Sequence, residues 1–237
     1  MVVRDLRHSS AERQLAARRR TIRRARRGPD AGCGLFMTLV PGTDRIDSER
    51  LLLRRITRDD YDFFARLHAM PEVVRYIMNG QPRSAEESRV WVERVAMYER
   101  VNLGLLAVVR KSDGRLIGRC GLSELVVDAN AAPGTIPRGW FQRAQAPAGT
   151  QLLDTPDLGY TFDPASWGHG YATEAARCVF DYARANLGWR RIVSVIHPDN
   201  VRSLRVAERS GLRRDGQVEI MAQVMEQYVW PIREDTT

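Results

Sequence analysis

The chain has 237 residues, 43% apolar and 28% charged, which suits one domain of moderate size with a substantial core. No uninterrupted apolar run is long enough to cross a bilayer, and the three cysteines, Cys33, Cys120 and Cys178, are too scattered for a metal site or a disulfide framework. These features predict a cytoplasmic protein with inert thiols, no metal and no membrane contact, and the net charge of +8 becomes informative only once it is located along the chain.

Residues 1–36 hold ten arginines against three acids, a charge of +7 that leaves the remainder nearly neutral. We expect residues 1–46 to form an Arg-rich, disordered tail, and residues 47–237 to form the working domain. The tail reads as a solvated segment, as an RNA- or ribosome-binding arm in which Glu12 to Arg27 form a basic helix, or as residues preceding a true start at Met37. Its low serine content argues against a transit peptide. Arg50 to Ile56 then reads as a first strand. Thr57 with Asp60 caps a helix lined by Tyr61, Phe64 and Leu67 or His68, Pro71 opens a short segment, and Ser84 with Glu87 is a capping box before Trp91, Val95 and Tyr98.

Leu105 to Val109 is a strand, Asp113-Gly114 a hairpin turn, and Leu116 to Val127 the returning strand. Asp128 to Pro156, rich in Pro and Gly, is expected as a long loop in which Trp140 and Phe141 cap an acceptor pocket or pack on the sheet. Leu158 to Phe162 is a strand, followed by Trp167-Gly168-His169-Gly170-Tyr171-Ala172-Thr173 and a helix to Leu187, stopped by Gly188. Arg191 to Ile196 is another strand, Asn200 to Arg209 a helix, and Gln217–Val224 and Glu226–Ile232 the final hairpin.

The glycine stretch links a strand to a helix N-terminus, where bare amides at the positive end of the dipole suit a phosphate or diphosphate. A turn without a ligand is the alternative. A P-loop needs Lys and then Ser or Thr after its last glycine, where Tyr171 and Ala172 stand. A dinucleotide fingerprint counted from Gly168 needs Gly or Ala where Thr173 stands. The stretch instead resembles the diphosphate loop of the GNAT superfamily, Gln/Arg-x-x-Gly-x-Gly/Ala, with Gly170 and Ala172 in the last two places and Trp167 replacing Gln or Arg. It is similar to the Trp-Gly-x-Gly-Tyr-Ala-Thr-Glu form of the RimJ/RimL-like branch, and the resemblance runs from Asp47 to Trp230.

That resemblance implies an α/β (α+β) GNAT acyl-CoA N-acyltransferase fold: a mixed, mostly antiparallel sheet with two splayed strands, flanked by helices. It implies acetyl-CoA as co-substrate. Tyr160, Thr161 and Phe162 would give main-chain contacts to the pantetheine arm, with an amide near Phe162 meeting the thioester carbonyl. Gly168, His169, Gly170, Tyr171, Ala172 and Thr173 would give amides to the diphosphate. Asn200 would bond the arm or cap a helix. Ala207 occupies the place of the tyrosine acid of many relatives, so Ser203 relays the proton or is simply small. Glu124 is the candidate general base or a solvent-facing strand residue. Glu174 supports the helix start, and Asp157 reads as a turn residue.

The implied reaction is direct attack of a primary amine on acetyl-CoA in a ternary complex. The acceptor is the α-amine of a protein N-terminus, a ribosomal protein among the candidates, or a small amine such as an antibiotic. A rival from another class is a non-catalytic CoA-binding module docked on ribosomes or RNA by the tail. The chain is expected as a monomer or homodimer.

Overall fold

The structure, a computed structural model, describes residues 45–77, 80–96, 104–128, 140–141, 152–189, 191–220 and 223–231. The Arg-rich tail and most of the 128–156 connection lie outside the described residues.

β1 (Arg45–Asp47) and β2 (Leu51–Arg55) pair antiparallel, and β2 alternates buried Leu51 and Leu53 with less buried neighbours, as a strand covered on one face requires. Asp60 accepts the Thr57 N–H at 2.9 Å and a bidentate Arg54 pair at 2.7 Å, and α1 (Tyr61–His68) starts there. The short α2 (Pro71–Val74) follows. Before α3 (Ala85–Ala96), Ser84 and Glu87 cap each other reciprocally, at 2.7 and 3.2 Å. Phe64, Leu67, Val73 and Trp91 from these helices pack over Ile56 and Ala107.

β3 (Leu105–Arg110), β4 (Leu116–Asp128), β5 (Trp140–Phe141) and β6 (Leu152–Phe162) continue the sheet. They are followed by α4 (Tyr171–Tyr182), β7 (Arg191–Ile196), α5 (Val201–Arg209), β8 (Arg213–Ile220) and β9 (Gln223–Pro231). The strand order is β1-β2-β3-β4-β6-β7-β9-β8, with β5 added to β4. Among the described residues every strand pairing is antiparallel except β6 with β7. α4 buries Ala175, Ala176, Val179 and Phe180 against the face carrying Leu51, Leu53, Cys120 and Phe162. The expected mixed, mostly antiparallel α/β architecture is the one observed.

Three boundaries differ from expectation. β1 was not anticipated. β6 begins at Leu152, inside the expected loop, because Pro156 turns its missing N–H away from β4 and interrupts no bond of that ladder. The last hairpin begins at Arg213, with Gly216 (φ 110°) at an irregularity in the β8–β9 register, and its second strand at Gln223 rather than Glu226, so Gln223 and Val224 belong to the second strand and not the first. The hairpin's polar start is held by cross-strand pairs such as Arg214–Glu226, at 2.5 Å.

Candidate active site

β6 and β7 run side by side but pair at one position, Asp157↔Val193. β6 meanwhile stays paired with β4 from Leu152 to Phe162. Successive main-chain groups on a strand point to opposite neighbours. The Thr161 carbonyl lies against Gly118 of β4, and the Asp163 N–H donates to the Ile117 carbonyl at 2.9 Å, so these odd-numbered residues face β4. Tyr160 and Phe162 therefore face the opening from which β7 diverges.

Side chains take two of the carbonyls at this opening. Ser194 Oγ donates to the Leu158 carbonyl at 3.1 Å, and Trp167 Nε1 to the Phe162 carbonyl at 2.9 Å. The N–H and C=O of Tyr160 and the N–H of Phe162 remain directed into the opening, so an amide-bearing chain can be held there as an added strand would be. Thr161 is a correction: its main chain is committed to β4, and its Oγ1 is buried without a partner.

After a 3₁₀ turn at Pro164–Ser166, the chain reverses through exposed Gly168 (φ 80°) and Gly170 (φ 79°). A Cβ at Gly168 would meet nothing within 4 Å, and one at Gly170 only Arg50 Nη2 at 3.6 Å. The left-handed backbone, rather than crowding, therefore calls for glycine. Gly170 is the N-cap of α4 and brings no side chain to the first-turn amides. The N–H groups of Tyr171, Ala172 and Thr173 thus precede any intrahelical acceptor, at the positive end of the helix. His169 is exposed, with Nδ1 2.8 Å from the Trp167 carbonyl and its ring stacked on Tyr171 at 5.6 Å. The loop contributes main chain at its surface, which suits a diphosphate.

Arg50 fastens this loop. Its Nη1 donates to the His169 carbonyl at 3.1 Å, its Nε to Glu174 Oε2 at 2.6 Å, and its guanidinium lies 4.8 Å from the Tyr171 ring centre. Ser48 Oγ and the Arg50 N–H also donate to Glu174 Oε1, at 2.6 and 2.9 Å. Burial pushes the Glu174 carboxyl up, but these donors outweigh it and hold it below its ordinary value. Glu174→Ala is expected to destabilise the fold by about 1–2 kcal/mol and to weaken CoA binding through the loosened loop. Denaturant melts and calorimetric titration check both.

Asn200 Oδ1 accepts the Ser203 N–H at 3.2 Å, so the helix-capping geometry is present at α5. The Tyr160 hydroxyl donates to the Ser203 carbonyl at 3.1 Å, bringing β6 and the first turn of α5 together. Arg202 covers the Trp167 ring at 4.6 Å. Glu124 stands in β4 opposite Pro156, and its side chain lies outside what is described. The structure also corrects Asp157. It lies inside β6, partly buried, where Oδ1 accepts the Val195 N–H at 3.2 Å. Burial pushes its carboxyl up to about 7, against that N–H.

Asp157, Ser194 and Arg50 carry no motif, and the loop motif that holds Trp167 does not foretell its indole bond to the Phe162 carbonyl. The one signal available was polarity at inward strand positions, as in Arg191-Ile192-Val193-Ser194-Val195-Ile196. Cys120 and Cys178 are buried. Burial raises both thiols, that of Cys178 to about 11, so neither is a thiolate nucleophile at neutral pH. Among the described residues, no group of His, Cys, Asp and Glu is placed to hold a metal ion.

Residues 50–213 match the family profile described as the acetyltransferase (GNAT) domain. The chain is 30% identical over 168 residues to the probable N-acetyltransferase YjcK of Bacillus subtilis, covering 71% of this chain and 75% of the relative. A candidate ribosomal-protein-serine acetyltransferase from Vibrio cholerae superposes with a TM-score of 0.58 at 17% identity, covering 82% of this chain and all of that one. AAC(6')-Ib, solved with ribostamycin and coenzyme A, superposes with a TM-score of 0.57 at 15% identity, over 80% and 99% of the two chains. A diverging strand pair, a bare-amide loop and this match together place the chain in the GNAT family, as an acetyl-CoA-dependent N-acetyltransferase.

Proposed function

We propose that the acceptor is the α-amine of a protein N-terminus, as in the RimJ/RimL-like branch, and that it attacks acetyl-CoA directly in a ternary complex. The observation carrying this reading is the opening itself. Strand-like donors and acceptors at Tyr160 and Phe162 lead from the amide loop to a partly buried carboxylate, Asp157, at the vertex where β6 and β7 meet.

Acetyl-CoA, when bound, supplies an activated acetyl thioester. Gly168 to Thr173 hold its diphosphate by main-chain N–H groups, and Tyr160 and Phe162 hold the arm. The Asn200 cap uses its amide oxygen and leaves Nδ2 as a donor toward the same ligand. Asp157 takes the amine proton at its carboxylate, as a group titrating near neutrality can. Phe162 lies about 16 Å along the strand from Asp157 at roughly 3.3 Å per residue. We therefore assign the developing oxyanion to the nearer Tyr160 N–H instead. Ser203, packed beside Tyr160, relays a proton to the leaving sulfur. Ser203→Ala is expected to lower kcat at least about tenfold while the Kd for acetyl-CoA stays unchanged. Equal turnover would remove Ser203 from the mechanism.

Support for a protein N-terminus over a polycationic antibiotic comes from charge. Arg202 lies over the Trp167 ring, and Arg83 and Arg119 lie over that of Trp91, cations that disfavour a polycationic acceptor nearby. An acceptor screen with intact-mass detection tests this reading. Acetylated peptide N-termini with untouched aminoglycosides support it; aminoglycosides as the better acceptors overturn it. CoA binding without turnover over the whole panel would favour the non-catalytic module.

A further inference from the structure

Arg119 is the one charged residue in Leu116-Ile117-Gly118-Arg119-Cys120-Gly121-Leu122, the otherwise apolar start of β4. In register it faces Thr161, so the two side chains share a face of the sheet. Its Nε is buried without a hydrogen-bond partner, as is Thr161 Oγ1. No carboxylate among the described residues pairs with it. Its charged neighbour is a second cation, Arg83, and both guanidiniums lie over the Trp91 ring, at 5.4 and 5.9 Å. His68 offers no negative charge; burial and these arginines push its imidazole down to about 3, keeping it neutral.

The same face carries Asp157, Gly159 and Ser123. A Cβ at Gly159 would sit 4.0 Å from Arg119 Nη1, 3.9 Å from Ser123 Oγ and 3.8 Å from Leu105 Cδ2. Thus no side chain at Gly159 stands against the guanidinium, two residues along the strand from the carboxylate at the vertex. A buried cation without a counter-ion is a costly arrangement, and ring contact offsets only part of that cost. An anionic ligand reaching Arg119 would offset the rest.

We propose that the acceptor amine is carried by an anionic molecule whose carboxylate is received by Arg119, with Arg83 as its neighbouring cation, beside Gly159. This rests on the acetyl-transfer reading and narrows its substrate class: the amine goes to Asp157 and the acid to Arg119. The carboxylate has two sources, an acidic side chain near a peptide N-terminus or the C-terminal carboxylate of a short peptide.

The test is calorimetric binding to the CoA-loaded full chain of two peptide pairs, Ala-Glu-Ala amide against Ala-Gln-Ala amide, and Ala-Ala against Ala-Ala amide. The expected result is about tenfold or tighter binding of the charged member in at least one pair, and the pair that discriminates identifies the source. Arg119→Met should erase that preference, keep the affinity for CoA and melt no lower than the parent, because it removes an unpaired buried charge. Gly159→Val should block the peptides while sparing CoA. Equal binding within both pairs, or a preference that survives Arg119→Met, overturns the proposal. Loss of CoA binding by the parent chain would instead overturn the acetyl-transfer reading beneath it.

Discussion

Gly170→Glu should abolish coenzyme A binding while leaving the fold in place. Gly170 is exposed, and its Cβ position meets only Arg50 Nη2 at 3.6 Å, so bulk is accommodated. The substitution brings two costs. At φ 79° a side chain strains the backbone by about 1–2 kcal/mol, and a carboxylate is placed where bare amides would receive a diphosphate. Gly170→Ala carries the strain without the charge and separates the two. Calorimetric titration should show a modest loss for Ala and no measurable binding for Glu, with both variants folded by circular dichroism. Unaltered affinity in Gly170→Glu would refute the loop's role.

The second large effect is expected at Asp157. Asp157→Asn keeps an acceptor for the Val195 N–H, which now lies 3.2 Å from Oδ1, but cannot take a proton from an amine. Turnover should fall about 10²- to 10⁴-fold, with CoA affinity retained. In the parent, kcat/KM should rise with pH through a midpoint near 7 as the carboxyl ionises, and the variant should lack that limb.

The same shift has a consequence for stability. The folded carboxyl holds its proton more tightly than the ordinary value of 3.8 allows, with a folded value of about 7. Its stabilising contribution is therefore present below about 3.8 and lost as pH rises through about 7. Asp157→Asn should consequently melt higher than the parent at pH 8 and no higher at pH 4. Undiminished turnover would return Asp157 to a purely structural place at the vertex.

The fold was legible where local chemistry and tertiary packing agree. Ser84 with Glu87, Asp113-Gly114 and the apolar period of α4 each specify their element without help from afar, and the glycine loop could be read because positive φ leaves few choices of residue. Legibility ended where a residue's meaning depends on a distant neighbour. Asp157 looks like a turn residue beside Pro156 until β7 brings the Val195 N–H to it. Thr161 looks equivalent to Tyr160 and Phe162 until alternation sends its main chain to β4. Arg119 looks like any strand arginine until Arg83, just before α3, and Trp91, within it, close over it. Asn200 belongs to both classes, since its cap follows from local chemistry and its contact to the ligand only from the resemblance.

The central claim is that bare amides grip a diphosphate and direct the acyl arm between two diverging strands. A crystal structure of the chain with coenzyme A tests it most directly. The diphosphate should accept hydrogen bonds from main-chain N–H groups between Gly168 and Thr173, with the arm bonded to Tyr160 and Phe162 and the sulfur directed toward Asp157. Coenzyme A bound elsewhere on the molecule, or an arm lying outside the opening between β6 and β7, would contradict it.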